Sequence, residues 1–541
     1  MENFISPRRV ITSEKVTCHE NLLKKKHNQM PLIREGLDCG LPKDCTRIDK
    51  DGYVLLDFGK ELHGGIRVFV QSISDVNTKL KITFGESVME TLTELGEKNS
   101  GNFHAIHVFE IPAVRLSMQR VGDIGFRFVK IEAKDGDVSL YNVTAIPDIR
   151  DLEYKGSFQC NDELLNEIWK TGAYTVQLNV HDYIWDGAKR DRIVWVGDMH
   201  PEVATVNAVF GKDESVPRSL DFVKEWTPAN AWMNGIVTYS MWWIIIHHDW
   251  YMHWGDYEYL KEQKEYLKEL TENTIKLVEN GLVVNEEGME GFVDWSSRYT
   301  ESEVEGRKTI ICLALSYSAK LLDVLGETEC SKKCKACVDT LQKEEISGEF
   351  NKRISALTVL SGRDKKIAQK VISGNSAEEM SCFFGYYVLK AKAELGEYED
   401  ALDIIRKYWG GMLSMGATTF WEDFDILWME NSARIDEVTP YGKKDIHGDF
   451  GRHCYRQFRH SLCHGWASGP TPFLSEQIAG IEILEPGCKK LKIQPNMGDL
   501  KWIKVSYPTP FGNVVVEAEK VEGKTNTKIS APEEIEIVSV L

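Results

Sequence analysis

Residues 186–198 read DGAKRDRIVWVGD, three carboxylates interleaved with two arginines and a lysine in thirteen positions. Asp186, Asp191 and Asp198 are badly spaced for one helix face, so a connecting loop is their natural setting. Arg190 and Arg192 can hold the acids through charge-assisted hydrogen bonds, and Asp191 stands between them. The pattern suits a self-paired, solvated turn. It equally suits a set of carboxylates kept ready to bind hydroxyls and move protons.

Three further stretches carry the same chemistry. GATTFWEDFD, residues 416–425, sets Glu422 between Trp421 and Asp423. A carboxylate beside an indole is partly desolvated, which raises its pKa. The alternative there is a helix start, with Thr418 or Thr419 as cap and Glu422 in a capping box. GFVDWSSR places Asp294 beside Trp295, and SLCHGWASGP places His464 two residues before Trp466. Acids paired with indoles in several loops are what a sugar pocket uses: carboxylates hold hydroxyls and transfer protons, while indoles stack on the apolar face of the ring and exclude water.

The whole chain sets bounds on these readings. With 541 residues it can bury one large core or several smaller ones, and 42% hydrophobic with 27% charged residues is ordinary for a water-soluble fold. The net charge of −18 argues against nucleic acid and against anionic membrane surfaces, both of which would repel it. No stretch reaches the roughly 18–20 unbroken apolar residues of a membrane helix. The opening MENFISPRRV lacks an apolar signal core, and the twelve scattered cysteines read as reduced thiols, which together predict a cytoplasmic protein. Cys330, Cys334 and Cys337 resemble metal spacing, but the intervening lysines and helical context argue against a metal there.

The elements that must position the acids follow from periodicity. DGYVLLDFG, GGIRVFVQSI, KLKITFGES, FHAIHVFEIP and GFRFVKIEA are short β-branched or aromatic runs with turn residues between them, which predicts a β-sandwich over residues 1–150. Helical spacing takes over near residue 155. NDELLNEIWKTGAYTVQLNV, YLKEQKEYLKELTENTIKLVENG, TIICLALSYSAKLLDVLG, SAEEMSCFFGYYVLKAKAELG (with Ser376 and Glu379 as a capping box) and EYEDALDIIRKYWGG predict consecutive helices across 151–470. An open bundle and a closed ring of hairpins both fit that run. β periodicity returns over 471–541. The acid-rich loop thus follows the first predicted helix, and Glu422 follows the last.

At this point the chain resembles a family: the family 78 glycoside hydrolases, bacterial α-L-rhamnosidases. Their acidic signature has the form Asp-Cys-Pro-x-Arg-Glu-Arg-x-Gly-Trp-x-Gly-Asp, and Asp186, Arg190, Arg192, Trp195, Gly197 and Asp198 fall on it without a gap. A later Gly-x-Thr-Thr-x-Trp-Glu stretch is met by Gly416, Thr418, Thr419, Trp421 and Glu422. LLDFGKELHGG and GFRFVKIE also look like the β domain preceding the barrel in such proteins.

The resemblance implies a central (α/α)6 barrel flanked by N- and C-terminal antiparallel β-sandwich domains. It implies inverting, exo-acting release of terminal α-L-rhamnose from small glycosides or oligosaccharides, with no metal and no cofactor. By it, Asp191 is the general acid and Glu422 the general base. Asp186 and Asp198 bind hydroxyls, Arg190 orients the acids, and His464 contacts a hydroxyl beside the base. Trp195, Trp243, Asp294, Trp295 and Trp421 complete the substrate-binding set. The chain departs from the pattern at Asp191, where the family carries Glu, at Gly187 and Ala188 in place of Cys-Pro, and at Val194 in place of Gly. The shorter acid leaves Glu202 as an alternative donor. It also leaves open another sugar in the same fold, or a carbohydrate-binding protein with weakened catalysis.

Overall fold

The structure, a computed structural model, describes residues 4–26, 29, 44–285, 288–295, 300–346, 351–363 and 365–539. Its N-terminal part is an antiparallel sheet in the order Arg9–Thr17, Thr46–Ile73, Ser117–Lys134, Lys79–Gly85 and Val108–Pro112, with Val138–Pro147 also paired to Thr46–Ile73. The glycines that mark two separate strands in the sequence instead lie inside one long strand. Register shifts between Asp57 and Leu62 and between Gly64 and Ile66 bend it, and Gly59 and Gly64 take φ of 90° and 135° at the bend. Ile48 and Ile73, near its two ends, both pair with Val138, so the sheet curls over a core that includes Leu56, Phe58, Ile66, Phe84 and Phe126.

The helical part contains Glu163–Asn179, Met199–Val209, Ser215–Trp226, Val237–Trp254, Lys264–Glu279, Glu301–Val324, Thr328–Lys343, Lys352–Leu360, Gly385–Glu394 and Tyr398–Ser414. Val237–Trp254, VTYSMWWIIIHHDWYMHW, has no polar face. Nearly all its side chains are buried, as expected of an inner helix enclosed by others. The capping box at Ser376 does not start a helix. Glu379 takes φ of 58° in a turn, and the helix begins at Gly385. The Ser-Ser-Arg of GFVDWSSR lies outside the described residues. Among the described residues no helix is long and apolar enough to cross a membrane.

C-terminal strands form a four-stranded sheet, Lys524–Ser530, Gly512–Val521, Trp502–Thr509 and Ser157–Cys160, and a three-stranded one, Ile481–Glu485, Lys490–Ile493 and Glu536–Ser539. The strand just before the first barrel helix thus completes the C-terminal sheet. Ile503, Val505, Tyr507, Val514 and Val516 share one continuous apolar core with the helices. The architecture is a six-hairpin helical domain flanked by an N-terminal antiparallel sheet and C-terminal β structure.

Candidate active site

Three loops at one end of the helical domain are joined by backbone hydrogen bonds. Ala188 N donates to Cys463 O at 3.2 Å, Gly465 N to Asp186 O at 2.9 Å, His464 N to Phe420 O at 2.9 Å and Glu422 N to Ser461 O at 3.0 Å. The acidic stretch, the Trp-Glu stretch and the His-Gly-Trp stretch therefore meet as one irregular unit. No helix begins at Thr418 or Thr419: Thr418 Oγ1 accepts from Glu61 N at 2.9 Å, and Thr419 Oγ1 donates to Leu462 O at 2.8 Å. The capping reading of Glu422 gives way to a loop carboxylate.

Arg190 stands between the two principal acids. Its Nη2 donates to both Glu422 oxygens at 2.6 Å, its Nη1 to Asp191 Oδ1 at 3.2 Å and its Nε to Arg459 O at 2.7 Å. Ser461 N also donates to Glu422 Oε2 at 3.0 Å. Trp195 Nε1 donates to Asp191 Oδ2 at 3.2 Å. Asp191 and Arg192 take φ of 57° and 51°, a left-handed pair of non-glycine residues that sets the acid apart from its neighbours. Tyr239 OH donates to Asp198 Oδ1 at 2.8 Å, and His464 Nε2 lies 3.4 Å from Asp198 Oδ2. Gly197 permits that tyrosine bond, because a β-carbon there would overlap the Tyr239 ring.

Burial sets the electrostatics. It pushes Asp186 well above the usual carboxylate range; Asp191 and Asp198 add to the rise, and His464 opposes it. Asp198 is also raised by burial, against the pull of His464 and Tyr239. Burial would lower His464, but Glu422, Asp198 and Asp186 outweigh it and hold the imidazole above its ordinary value. Glu202, one turn into the next helix, is fully buried without a hydrogen-bond partner and is raised well above normal by burial, Asp198 and Asp186. These groups together form a buried cluster of acids offset by one guanidinium and one imidazole.

On its other side Glu422 lines a narrow cleft of about 20 Å³ together with Asp294, Trp295, Asp423, His453, Tyr455 and Trp466. Trp295 lies parallel to the His453 ring, and Trp466 Nε1 donates to Glu422 O at 3.0 Å. Asp294 is 3.3 Å from Arg353 Nε, and Arg452 spans Asp423 at 2.9 Å and Asp425 at 3.1 Å across the cleft.

Two expected tryptophans are elsewhere. Trp243 is completely buried in the helix wall, where Nε1 donates to Leu220 O at 3.1 Å and the ring packs on Tyr266 and His247. Its helix is apolar all round, so position along the chain does not reveal which indole faces a cavity. Trp421 is likewise buried, edge-on to Phe424 and His460. Neither offers a face to a sugar. Two residues the sequence did not single out join the site instead: Tyr239, hidden in the same apolar helix, and His104 of the β domain, whose Nδ1 is 2.9 Å from Asp191 Oδ1.

Among the described residues, two clusters have the donor types of a metal site. Glu86, Glu90 and His447 converge, but the ammonium of Lys189 already lies there, 2.9 Å from Glu86, 3.0 Å from Glu90 and 2.6 Å from His460 O. His63, Asp148 and His181 also converge, with Arg192 Nη1 3.2 Å from His63 Nε2 and the His181 ring stacked on Trp185. A resident cation in each place repels a second one.

Comparison with known proteins agrees with this organisation. Residues 153–355 match the bacterial alpha-L-rhamnosidase 6 hairpin glycosidase domain, and residues 480–541 match the bacterial alpha-L-rhamnosidase C-terminal domain. An alpha-L-rhamnosidase of Formosa agariphila is 23% identical over 89% of this chain and 54% of its own length. Among solved structures, a family 78 rhamnosidase of Bacillus sp. GL1 superposes with a TM-score of 0.74 at 21% identity, over 96% of this chain and 55% of the other. The Streptomyces avermitilis alpha-L-rhamnosidase, solved with L-rhamnose, superposes with a TM-score of 0.69 at 15% identity, over 90% of this chain and 48% of the other. The chain thus spans about half the length of these relatives. By sequence the chain matches the six-hairpin glycosidase domain and the C-terminal domain of the bacterial α-L-rhamnosidases, and by fold it is similar to a family 78 rhamnosidase over most of its length.

Proposed function

We propose that the chain is an inverting, exo-acting glycoside hydrolase that releases terminal α-L-rhamnose from small glycosides. The observation that carries this reading is the placement of Asp191 and Glu422 at opposite ends of the Arg190 guanidinium. Both carboxyl groups reach one guanidinium, and an inverting pair needs about 6.5–9.5 Å between them to admit the attacking water. In this scheme Glu422 takes a proton from water on the cleft side, and the acid function resides at the Asp191 end. Asp198, Asp186 and His464 bind ring hydroxyls. Trp295 and Trp466 supply apolar faces.

The sugar bound in the Streptomyces relative supports rhamnose as the substrate. The short acid at 191 favours a second reading, a different sugar in the same pocket. A panel of p-nitrophenyl glycosides separates the two when assayed with wild type and Glu422→Gln. The expected result is turnover of the α-L-rhamnoside and a loss in kcat of about 10²–10⁴-fold in the variant. Turnover of another sugar alone would overturn the substrate, no turnover at all would favour a binding protein, and an active variant would remove Glu422 as base.

A further inference from the structure

We propose that a large cavity between the helical domain and the C-terminal strands, separate from the cleft at Glu422, binds a neutral mono- or disaccharide. The inference goes beyond the hydrolytic reading and does not rest on it. The cavity measures about 1020 Å³ and shares no lining residue with the cleft that holds Glu422. Small-molecule sites span roughly 300–1,000 Å³, so it has room for one or two sugar rings. Its walls come from the helices Met199–Val209, Val237–Trp254, Glu301–Val324 and Gly385–Glu394 and from the strands Ile481–Glu485 and Trp502–Thr509.

These walls are fixed by their own contacts. Asp249 holds two imidazoles, with His248 Nδ1 2.8 Å from Oδ1 and His200 Nε2 3.0 Å from Oδ2. His200 Nδ1 lies 2.9 Å from Tyr387 OH, and the Tyr317 ring is parallel to His248 with centroids 3.9 Å apart. His253 Nε2 donates to Pro508 O at 2.9 Å, and Tyr507 OH donates to Glu476 Oε1 at 3.0 Å. Side chains already locked in this way lose little freedom when a ligand enters, which removes one of the costs of binding.

The lining favours hydroxyl groups over net charge. Lys320, Lys390 and Lys492 are matched in number by Asp249, Glu394 and Glu482. Burial raises Glu476 to about 7 and lowers His253 to about 4, so neither adds a full charge at neutral pH. An anion or a cation would therefore meet as many like charges as opposite ones. Among the described residues Lys320 and Lys390 pair with no carboxylate. Their ammonium groups lie over the Tyr317 and Tyr386 rings, 4.9 and 5.3 Å from the centroids, and keep N–H donors for a ligand. A sugar hydroxyl donates and accepts at once, so it can use ammonium donors and carboxylate acceptors together. Half-buried Met252 and Tyr398 add apolar surface for the ring carbons.

The test follows the Met252 methyl group by NMR of the full chain carrying carbon-13 in its methionine methyls, the signal being assigned by its loss in Met252→Leu. L-Rhamnose, D-glucose, lactose and the anion D-glucuronate are titrated into wild type, Ala204→Trp and Lys390→Met. Ala204 is a half-buried lining residue, and an indole there occupies the cavity. Lys390→Met removes one donor while keeping the stem, and it serves alone if the tryptophan variant does not fold. The expected result is a saturable shift of the Met252 signal with a neutral sugar, absent in Ala204→Trp. In Lys390→Met the affinity falls about tenfold, as for one lost hydrogen bond to a charged donor. No saturable shift with any neutral sugar would overturn the inference. So would a shift unchanged in both variants, which would place the sugar elsewhere, or tighter binding of D-glucuronate than of every neutral sugar. None of these outcomes bears on the roles of Asp191 and Glu422.

Discussion

Arg190 decides what its neighbours can do. One guanidinium carries Asp191 on one nitrogen and Glu422 on another, with a backbone carbonyl taking the third N–H. A lysine could not hold two carboxylates in a fixed plane, since its ammonium lacks the fork. His464 has the complementary task beneath them, and its shift has a testable sign. Burial alone would lower it, but Glu422 and Asp198 raise it above its unfolded value of about 6.5. A raised histidine contributes stability that is fully present below about pH 6.5 and lost as pH rises through its folded value. The melting-temperature gap between wild type and His464→Gln is therefore expected to be larger at pH 6 than at pH 9. A gap that stays constant or widens with pH would contradict the charge assigned to this imidazole. Part of this scale is legible: Asp186, Arg190, Trp195 and Asp198 fall on the acidic signature, Asp191 stands where that signature carries Glu, Glu422 falls on the later stretch, and these loops meet the His464 loop in one unit. His104 was not legible, because it lies in a different domain with no local pattern around it. Trp243 and Trp421 were misread because an indole beside an acid or in an apolar run looks the same whether it faces a cavity or the core.

The loops that carry these residues are irregular, so something other than helix geometry must fix them. Lys189, next to Arg190, supplies one anchor. Its ammonium is buried among Glu86, Glu90, Phe458 O and His460 O, at 2.9, 3.0, 3.0 and 2.6 Å. Glu86 in turn accepts from Leu462 N at 2.6 Å. One buried cation thereby joins the N-terminal sheet, the acidic loop and the His464 loop. Burial raises Glu86 to about 7 even beside that cation. Lys189→Met leaves two buried carboxyls without their counter-ion, and a loss of about 3–5 kcal/mol is expected in denaturant unfolding. A loss below 1 kcal/mol would show that the cluster reorganises without it. Helix positions elsewhere were readable where one face is polar, as in Glu163–Asn179 and Tyr398–Ser414. Val237–Trp254 escaped because a helix buried all round has no amphipathic period, and Ser376 misled because a capping sequence can close a turn instead of opening a helix.

Across the whole molecule the parts are unequally independent. The N-terminal sheet has its own apolar core, while the C-terminal strands and the helices share one. Ser157–Cys160, just before the first barrel helix, pairs with Ile503–Ser506 and so ties the two ends of that unit together. Val505→Asp places an unpaired charge at a fully buried position in that shared core. The helical signal in thermal unfolding is expected to melt at the same lowered temperature as the sheet signal. A helical transition left at its wild-type temperature would show that the C-terminal strands fold apart from the barrel. The β–α–β plan itself was plain from the change of period along the chain. The cross-pairing of 157–160 was not, since four residues before a helix carry no sign of a partner some 345 residues away.

The most direct test of the account is the anomeric form of the first product, followed by proton NMR during hydrolysis of p-nitrophenyl α-L-rhamnoside. Water entering between Asp191 and Glu422 from the face opposite the leaving group predicts β-L-rhamnose first, with the α form growing in only through mutarotation. α-L-Rhamnose as the initial product would contradict the separation and roles assigned to the two carboxylates.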